Sequence, residues 1–438
     1  MKIIRVIFLC LILETLSAPV YAQSNQPVAL AMTAEGPITP PMLEYFKRGI
    51  ETAEQKNAEV LIIELNTPGG SVEVMLEMIQ LIKSSRAPVV IYVAPREAIA
   101  GSAGALITMA GHASAMAPGS AIGAASPVDS SGQDIQSAME SKVKEILKAK
   151  ARSLVEARGK KAVQIAEAMI DDAKAVTAQE ALDAGLIDFI ASDTNDLLKK
   201  LDGFQVKVND QPRTLHTQYV QIQPLEISFI EAFLLMLTDP NVAFLLLAIG
   251  VQAVLIELSS PGGWVAGFLG VVCITLAVYG MGVLPINWFG AIFLVIAFVL
   301  FVLDIKAAAH GALTTAGVAS FIVGALVLFN SPGTPQFQRV SVPLVIGAGV
   351  FIGLIFFVIM IFALRAQRGK VQTGVESLLG KTGKALTVVN EAGQVQMASE
   401  LWSAEKSADS EPIRKGDLVE VVEVRGLRLI VKKCDSRL

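Results

Sequence analysis

The sequence predicts a three-part membrane protein, in which an α/β domain is followed by an α-helical membrane domain and a small all-β domain. Mean hydropathy is +0.56 and only 17% of the 438 residues are charged, whereas a soluble globular protein carries about 25%. Residues 23–228 nevertheless carry charge at ordinary density, while the stretch from Leu258 to Leu303 has no charged residue. Short β-patterned runs with glycine turns follow residue 374. We therefore expect domains at 23–225, 226–365 and 366–438.

The first 22 residues have the organisation of a secretory signal peptide. Lys2 and Arg5 form a basic start, an apolar stretch runs from Val6 to Leu13, and small residues precede an expected cleavage site after Ala22. An uncleaved anchor helix is the alternative. In either case we expect the domain that follows to be exported.

The exported part alternates strand and helix patterns. Val60–Leu65 and Pro88–Val93 are short apolar runs rich in β-branched residues, which is typical of strands buried on both faces. Ser71 can cap a helix over Val72–Ser84, and a long helix is expected from about Ser137 to Ala157. Strands that alternate with helices predict a mostly parallel, layered sheet.

Five membrane crossings are expected, because about 20 apolar residues span a bilayer as one helix. The uncharged stretch Leu258–Leu303 suits two crossings with a turn at Gly282–Asn287. The segment Ser228–Leu237 is apolar but short and flanked by acidic residues, so we interpret it as interfacial. The other three crossings fall at Asn241–Ile256, Ala307–Gln338 and Val340–Leu364.

An odd number of crossings after an exported domain places the C-terminus in the cytoplasm. Arg365, Arg368 and Lys370 follow the last crossing, in agreement with the positive-inside rule, whereas Arg339 lies on the wrong side. We expect a multi-pass protein of the bacterial inner (cytoplasmic) membrane with a periplasmic α/β domain. The crossings carry no charge at mid-span, which argues against an ion or proton path.

The composition also excludes several classes of protein. A net charge of −4 excludes a strongly basic nucleic-acid binder. Three cysteines are too few for a disulfide scaffold, and Cys10, Cys273 and Cys434 lie too far apart in sequence for a zinc motif. The three histidines are likewise scattered. We therefore expect no metal and no cofactor.

Two glycine-containing segments are candidates for chemistry. Asn66–Ser71 (NTPGGS) joins a predicted strand to a helix N-terminus, and its open backbone N–H groups could bind a developing oxyanion. An ordinary turn has the same composition. Ala100–Ala105 (AGSAGA) places Ser102 among small residues at a predicted helix start, with the Ala103 N–H as a second possible donor. A close helix–sheet contact would need the same small residues.

A nucleophilic serine needs a base. His112 lies ten residues after Ser102, which is over about 10 Å along a helix, so a Ser-His triad is disfavoured. A lysine is the other option, since Ser-Lys pairs occur in hydrolases. Four lysines lie on the predicted long helix, and the residues alone do not choose between Lys142, Lys144, Lys148 and Lys150.

Four motifs make the pattern specific, and they occur in the order NTPGG, AGSAGALITMAG, MAPGSAIGAASPV and TAQEALDAGLID. Together they resemble the ClpP-class membrane serine proteases of the long NfeD family, the stomatin operon partner proteins. The resemblance extends over the whole chain. It implies a ClpP/crotonase-like α/β domain, then the membrane domain, then an OB-like barrel.

The resemblance also implies roles for particular residues. The serine before Ala-Gly in the second motif falls on Ser102, which would be the nucleophile. The register of the long helix selects Lys142 as the base, with Lys144 as the second choice. The oxyanion donors fall on the N–H groups of Gly70 and Ala103. Soluble ClpP proteases use a histidine after the MAPG-like segment, and this sequence has none there, which favours a Ser-Lys dyad.

The segment from Gly374 to Lys433 resembles the small OB-like barrel that closes NfeD proteins. Although OB folds often bind nucleic acid, this segment has no interleaved basic and aromatic residues, and Trp402 is its only aromatic residue. We therefore expect a protein contact here and no nucleic acid. In the family, the partner is a stomatin-like membrane protein.

The leading interpretation is a membrane-bound serine endopeptidase that cleaves hydrophobic peptide segments, such as those of stomatin-like partners. One alternative is a non-catalytic scaffold that organises a stomatin-like assembly. Another is a crotonase-type acyl-CoA enzyme, against which export argues because acyl-CoA is a cytoplasmic substrate. The resemblance also implies a homo-oligomer.

Overall fold

The computed structural model describes residues 27–127, 137–259, 263–284, 286–307, 311–331, 334, 338–367 and 375–434. The predicted signal peptide, residues 1–22, lies outside these ranges. The chain forms two compact units. One comprises residues up to 302 together with 313–353, and the other comprises residues 303–312 together with 354–438.

The α/β domain alternates strands and helices, as the sequence predicted. Its elements in chain order are β1 (Val28–Glu35), α1 (Pro40–Gln55), β2 (Val60–Asn66), α2 (Val72–Ser84), β3 (Val89–Val93), β4 (Ile99–Gly101), α3 (Ala103–Ala110), β5 (Ala113–Met116), β6 (Ala121–Gly123), α4 (Ser137–Val155), α5 (Lys160–Asp171), β7 (Ala175–Thr177), α6 (Ala178–Asp183), β8 (Phe189–Ile190), α7 (Thr194–Leu201), β9 (Gln205–Val208), β10 (Gln211–Thr214) and β11 (Gln221–Pro224).

Six of these strands form one parallel sheet in the order β11-β1-β2-β3-β5-β8. β2 and β3 are buried on both faces, which is why their sequences are continuous β-branched runs rather than alternating ones. Leu61 and Ile63 point into one core with helices α2, α3 and α5, whereas Val60 and Ile62 point into another with α7 and β9. The sheet is therefore the rigid middle layer of the domain.

A smaller sheet, β4-β6-β7, lies beside the large one and carries the chain into α3. β4 and β6 pair in parallel, with Gly101 opposite Gly123. The predicted cap of α2 is confirmed, since the Ser71 hydroxyl accepts the Val74 N–H at 3.4 Å. The long helix α4 ends at Val155, two residues before the predicted end, and a short 3₁₀ turn follows it.

The predicted interfacial segment is a helix, α8 (Phe229–Leu237), which begins with a capping box of Ser228 and Glu231. Its Glu231 carboxylate accepts two hydrogen bonds from Arg48 of α1, each at 2.8 Å. A third N–H of Arg48 donates to the Glu226 carbonyl at 2.7 Å. We call this Arg48–Glu231 pair the juxtamembrane clamp, because α8 also packs against the first two helices of the membrane domain.

The membrane domain consists of apolar helices, as predicted. The described residues form α9 (Pro240–Ser259), α10 (Val265–Met281), α11 (Phe289–Ala307), α12 (Ala312–Phe329) and α13 (Val342–Gln367). Pro240–Leu258 and Ala312–Phe329 are long and apolar enough to cross a membrane, and the other three contain shorter apolar stretches. The number of crossings and their orientation stay predictions.

Glycines bring α9 and α10 into close contact, as is common between helices in membranes. A Cβ on Gly270 would lie 2.7 Å from the Gly250 carbonyl oxygen, and one on Gly250 would lie 2.9 Å from the Gly270 oxygen. No side chain fits between the two backbones at this crossing. The first membrane hairpin is therefore a closely packed unit.

The C-terminal segment is a closed five-stranded barrel, which confirms the predicted OB-like domain. Its core includes Val395, Met397, Val421 and Leu429, all buried. The strand order is β12-β13-β14-β16-β15, with bounds Thr382–Ala385, Gly393–Met397, Glu400–Lys406, Leu418–Arg425 and Arg428–Lys433 for β12 to β16.

The juxtamembrane clamp is expected to stabilise the protein in a pH-dependent way. Hydrogen bonds from Arg48 hold the pKa of Glu231 below its usual 4.5, so the stabilisation is present above that value and is lost as the pH falls through the lowered pKa. We expect a coupling energy of about 1 kcal/mol at pH 7 between Arg48→Met and Glu231→Gln. The measurement is a double-mutant cycle of thermal unfolding in detergent.

Each substitution keeps one neighbouring interaction, and the loss of the Arg48 hydrogen bond to the Glu226 carbonyl cancels in the cycle. Methionine keeps an apolar stem over the Tyr45 ring, and glutamine at the third helical position preserves the capping box. A coupling energy that is the same at pH 7 and pH 3 would contradict the assignment.

Candidate active site

Ser102 lies at the junction between β4 and α3, where the chain turns from strand to helix. Its backbone has φ 50° and ψ −117°, a strained conformation for a residue with a side chain. The Ser102 N–H is fixed by a 2.8 Å hydrogen bond to the Gly123 carbonyl of β6. Its half-buried Oγ forms no hydrogen bond with any residue in the described ranges. The backbone of Ser102 is thus held in place, and its hydroxyl is not otherwise engaged.

The loop after β2 is held directly against this serine. The Thr67 N–H donates to the Ile99 carbonyl at 2.7 Å, and the Gly101 N–H donates to the Thr67 carbonyl at 2.9 Å. A Cβ on Gly69, whose φ is +114°, would lie 2.5 Å from the Cβ of Ser102 and 3.1 Å from its Oγ. Only glycine fits at position 69, so the first glycine of NTPGG exists to let the two segments meet.

Gly70 carries the next peptide of the loop. One side of this loop is hydrogen-bonded to Ile38. The Ile38 N–H donates to the Gly69 carbonyl at 2.8 Å, and the Ser71 N–H donates to the Ile38 carbonyl at 3.0 Å. A Cβ on Gly70 would lie 2.3 Å from the Ile38 oxygen. Because bonding alternates along an extended chain, the Gly70 N–H faces the other side, and within the residues described it has no acceptor.

Ala103 is the first residue of α3, and the first N–H groups of a helix have no partner inside the helix. Gly104 lies against the loop as well, since a Cβ there would be 2.5 Å from the Thr67 methyl group. The start of α3 and the glycine loop are therefore in contact. Two open backbone donors, Gly70 and Ala103, lie in the segments that adjoin Ser102.

His112 has a structural role, consistent with the expectation that it does not serve Ser102. Its ring Nδ1 accepts the Val89 N–H at 3.0 Å, and the backbone N–H of His112 donates to the Val89 carbonyl at 2.8 Å. Burial and the nearby Lys83 lower its pKa to about 4. The ring is thus neutral and bonds to the start of β3. His112 follows the C-terminal end of α3, whereas Ser102 precedes its N-terminal end.

The lysines of α4 differ in their surroundings. Lys142 is exposed and forms no hydrogen bond or ion pair with a residue that the structure describes, whereas Lys144 is half-buried and has partners. Lys148 pairs with Asp171 at 2.9 Å and with Glu145 at 3.1 Å. These bonds raise the pKa of Lys148, which keeps it charged and unsuitable as a base.

The helix itself is firmly placed. Leu147, Ala151 and Val155 are buried in the core, and α4 packs against both α3 and α5. No described contact joins Ser102 to a lysine, so the structure does not decide between Lys142 and Lys144. The segment 128–136, which leads from the third motif to α4, lies outside the described residues.

Throughout the described ranges, no group of three or more His, Cys, Asp or Glu side chains could hold a metal ion.

The candidate site thus consists of a serine at a strand-to-helix turn, a glycine loop against its Cβ and two open backbone donors. The chain belongs to the NfeD family. Residues 32–211 match the NfeD1b N-terminal domain, 241–362 match the NfeD integral membrane domain, and 375–433 match the NfeD-like C-terminal, partner-binding domain. It is therefore a membrane protein.

Known proteins resemble the chain over its whole length. The membrane-bound protease PH1510 of Pyrococcus horikoshii is 36% identical over 98% of this chain and 97% of its own. The membrane protein NfeD1b of Bacillus subtilis is 26% identical over 96% of each chain.

Among solved structures, a lysine-to-alanine variant of the membrane-bound stomatin-specific protease 1510-N, in complex with a substrate peptide, is 36% identical. It covers 48% of this chain and 96% of its own, with a TM-score of 0.45.

The contact at Gly69 predicts a specific loss of reactivity. In Gly69→Ala the new Cβ would overlap Ser102, so we expect labelling of the serine by a fluorophosphonate probe to slow at least tenfold. Gly36→Ala is a matched control, because Gly36 has a similar φ of +105° but open space around it. Both variants carry backbone strain of about 1 kcal/mol.

The rate of labelling, measured with purified proteins of verified fold, checks this expectation. Equal labelling of the two variants would show that the overlap with Ser102 is unimportant.

Proposed function

We propose that the protein is a membrane-bound serine endopeptidase with a Ser-Lys dyad, in which Ser102 is the nucleophile and Lys142 the base. Lys144 is the second candidate for the base. The observation that carries the proposal is the conformation of Ser102, a strained serine with an unengaged hydroxyl beside two open backbone donors. Strain of this kind persists where the surroundings impose it, and it clusters at functional sites.

The chemistry follows from these groups. The Ser102 Oγ would attack the carbonyl carbon of a peptide bond while its proton passes to the neutral lysine amine. The N–H groups of Gly70 and Ala103 would hold the oxyanion, usually the largest single contribution in such sites. The ammonium would then return the proton to the departing amine, and water would release the acyl group by the same steps. A lysine in this role must be desolvated, which requires the exposed α4 segment to be covered when substrate or a second subunit is bound.

The substrate class follows from the surroundings of the site. Ile99, three residues before the serine, leaves 52% of its surface exposed, and α8 links the domain to the membrane helices. Hydrophobic segments of membrane proteins would meet both features. Since a relative is named as a stomatin-specific protease, we extend the proposal to stomatin-like partners. The site would lie outside the cytoplasm of a bacterial inner membrane, in a homo-oligomer.

The experiment that tests the dyad compares alanine variants in cleavage of an apolar peptide by the full-length protein in detergent. Ser102→Ala and Lys142→Ala should each lower kcat at least about 10³-fold, since members of a dyad act as a unit. Lys150→Ala, on the same helix, is the control and should stay within twofold of the native rate. Full activity of Ser102→Ala would reject the nucleophile, while loss in Lys144→Ala but not in Lys142→Ala would reject the chosen base.

A non-catalytic scaffold is the second candidate, because the C-terminal barrel matches a partner-binding domain and no described contact joins Ser102 to a lysine. The two functions separate under a fluorophosphonate probe. Labelling of the native protein but not of Ser102→Ala is expected for the protease, whereas a pure scaffold would give no labelling of either.

A further inference from the structure

We propose that a cleft between the α/β sheet and α8 binds an extended apolar peptide carrying a basic residue, and so selects the segment presented to Ser102. This inference rests on the proposed protease function and deepens it. The cleft holds about 450 Å³ and is lined by residues of β1, α1, α8 and the connection after β11, including Glu35, Met42, Tyr45, Glu226, Ile227 and Leu235. We call it the juxtamembrane cleft.

One wall of the cleft is a strand edge without a neighbour. β11 pairs with β1 only as far as Ala31, and the last bond runs from the Leu225 N–H to the Ala31 carbonyl at 2.7 Å. Along a parallel strand, backbone groups of alternate residues face opposite sides, so those of Thr33 and Glu35 face the cleft, where the Thr33 backbone is already hydrogen-bonded to Tyr45 and the Glu35 backbone is open. In the described part of the chain no strand lies beside them. A peptide in extended conformation can pair with such an edge.

Tyr45 marks where the sheet stops. Its hydroxyl donates to the Leu225 carbonyl at 2.6 Å, and the backbone of Thr33 is its second hydrogen-bond partner. Burial raises the pKa of this hydroxyl, so it stays protonated and keeps donating. The side chain therefore ends the β11 ladder and leaves the edge at Glu35 free for another chain.

The inner surface of the cleft is apolar and its rim is acidic. Met42 is buried beneath it, while Leu235 and the 38%-exposed Ile227 form its sides. The rim carboxylates, Glu35 and Glu226, are exposed and have no cationic partner in the described residues. Arg48 donates to the backbone carbonyl of Glu226, and its charge is paired with the Glu231 carboxylate. An apolar segment with a lysine or arginine complements this surface, and an anionic lipid headgroup does not.

The position of the cleft links the membrane to the catalytic loop. Leu235 belongs to α8, which packs against α9 and α10. At the other end, Glu35 lies opposite Asn66, whose side-chain oxygen accepts the Ile99 N–H at 3.1 Å. A segment leaving the bilayer beside α8 would thus follow the edge of β1 towards the loop that holds Ser102.

Binding is tested with the full-length Ser102→Ala protein in detergent, so that no cleavage occurs. The probe is a fluorescent apolar decapeptide with one central lysine, and a matched peptide carries glutamate in its place. Reversing the rim with Glu35→Lys and Glu226→Lys together should weaken the lysine peptide about tenfold and tighten the glutamate peptide. Glu77→Lys, on the exposed face of α2, is the control and should change neither affinity by more than twofold.

A second series tests the strand edge. Methylating the peptide's backbone nitrogens one at a time should weaken binding at alternate positions only, because every second N–H faces β1. Affinities that are the same for both peptides in the rim-reversed protein, or uniform along the methylated series, would overturn the proposal. Displacement of the peptide by phosphatidylglycerol vesicles but not by excess unlabelled peptide would assign the cleft to lipid instead.

The two proposals fail in different ways. If peptide binding depends on the rim carboxylates but the native protein cleaves no peptide, the proposal for the cleft stands and the protease function is rejected. If cleavage depends on Ser102 but is unaffected by reversing the rim charges, the protease function stands and the proposal for the cleft is rejected.

Discussion

The close approach of Gly69 to Ser102 is the contact on which the candidate site depends. Two chain segments that lie more than thirty residues apart are brought so near that any side chain at position 69 would overlap the serine. Two backbone hydrogen bonds between Thr67 and β4 keep the two segments together. The parallel sheet behind them fixes the end of β2. The backbone strain at Ser102 is therefore sustained by the rigid sheet beneath it, and the hydroxyl needs no other contact to remain available.

The same sheet relates the site to the membrane. Its edge strand β11 leads into α8, and α8 is fastened to α1 by the juxtamembrane clamp and to the membrane hairpin by packing. The clamp is a paired charge at the domain surface, with modest energy but defined geometry. It sets where the open edge of β1 lies relative to the first membrane helices. The main effect of the clamp is therefore to position α8 against α1, and its contribution to the free energy of unfolding is secondary.

Much of the fold could be predicted from sequence because it depends on local patterns. β-branched runs gave β2 and β3, a serine cap gave the start of α2, and apolar length gave the membrane helices. The glycine loop and Ser102 were identified from motifs, and the structure explains the glycines by contact. Arg48 and Glu231 are 183 residues apart in the sequence, so no local sequence pattern predicts their pairing. The end of β11 at Pro224, which opens the cleft, likewise depends on tertiary packing.

The identity of the catalytic base does not follow from local sequence patterns. A helix with four lysines offers several of them to solvent, and which one reaches the serine depends on what covers α4. The central claim, that Ser102 is a nucleophile served by a lysine of α4, is tested most directly by a crystal structure of the protein trapped with a fluorophosphonate. The account predicts phosphorus bonded to the Ser102 Oγ, the phosphoryl oxygen about 3 Å from the N–H groups of Gly70 and Ala103, and a lysine amine of α4 in hydrogen-bond contact. Phosphorus on another residue, or an adduct with every lysine about 10 Å or more from the serine, would contradict it.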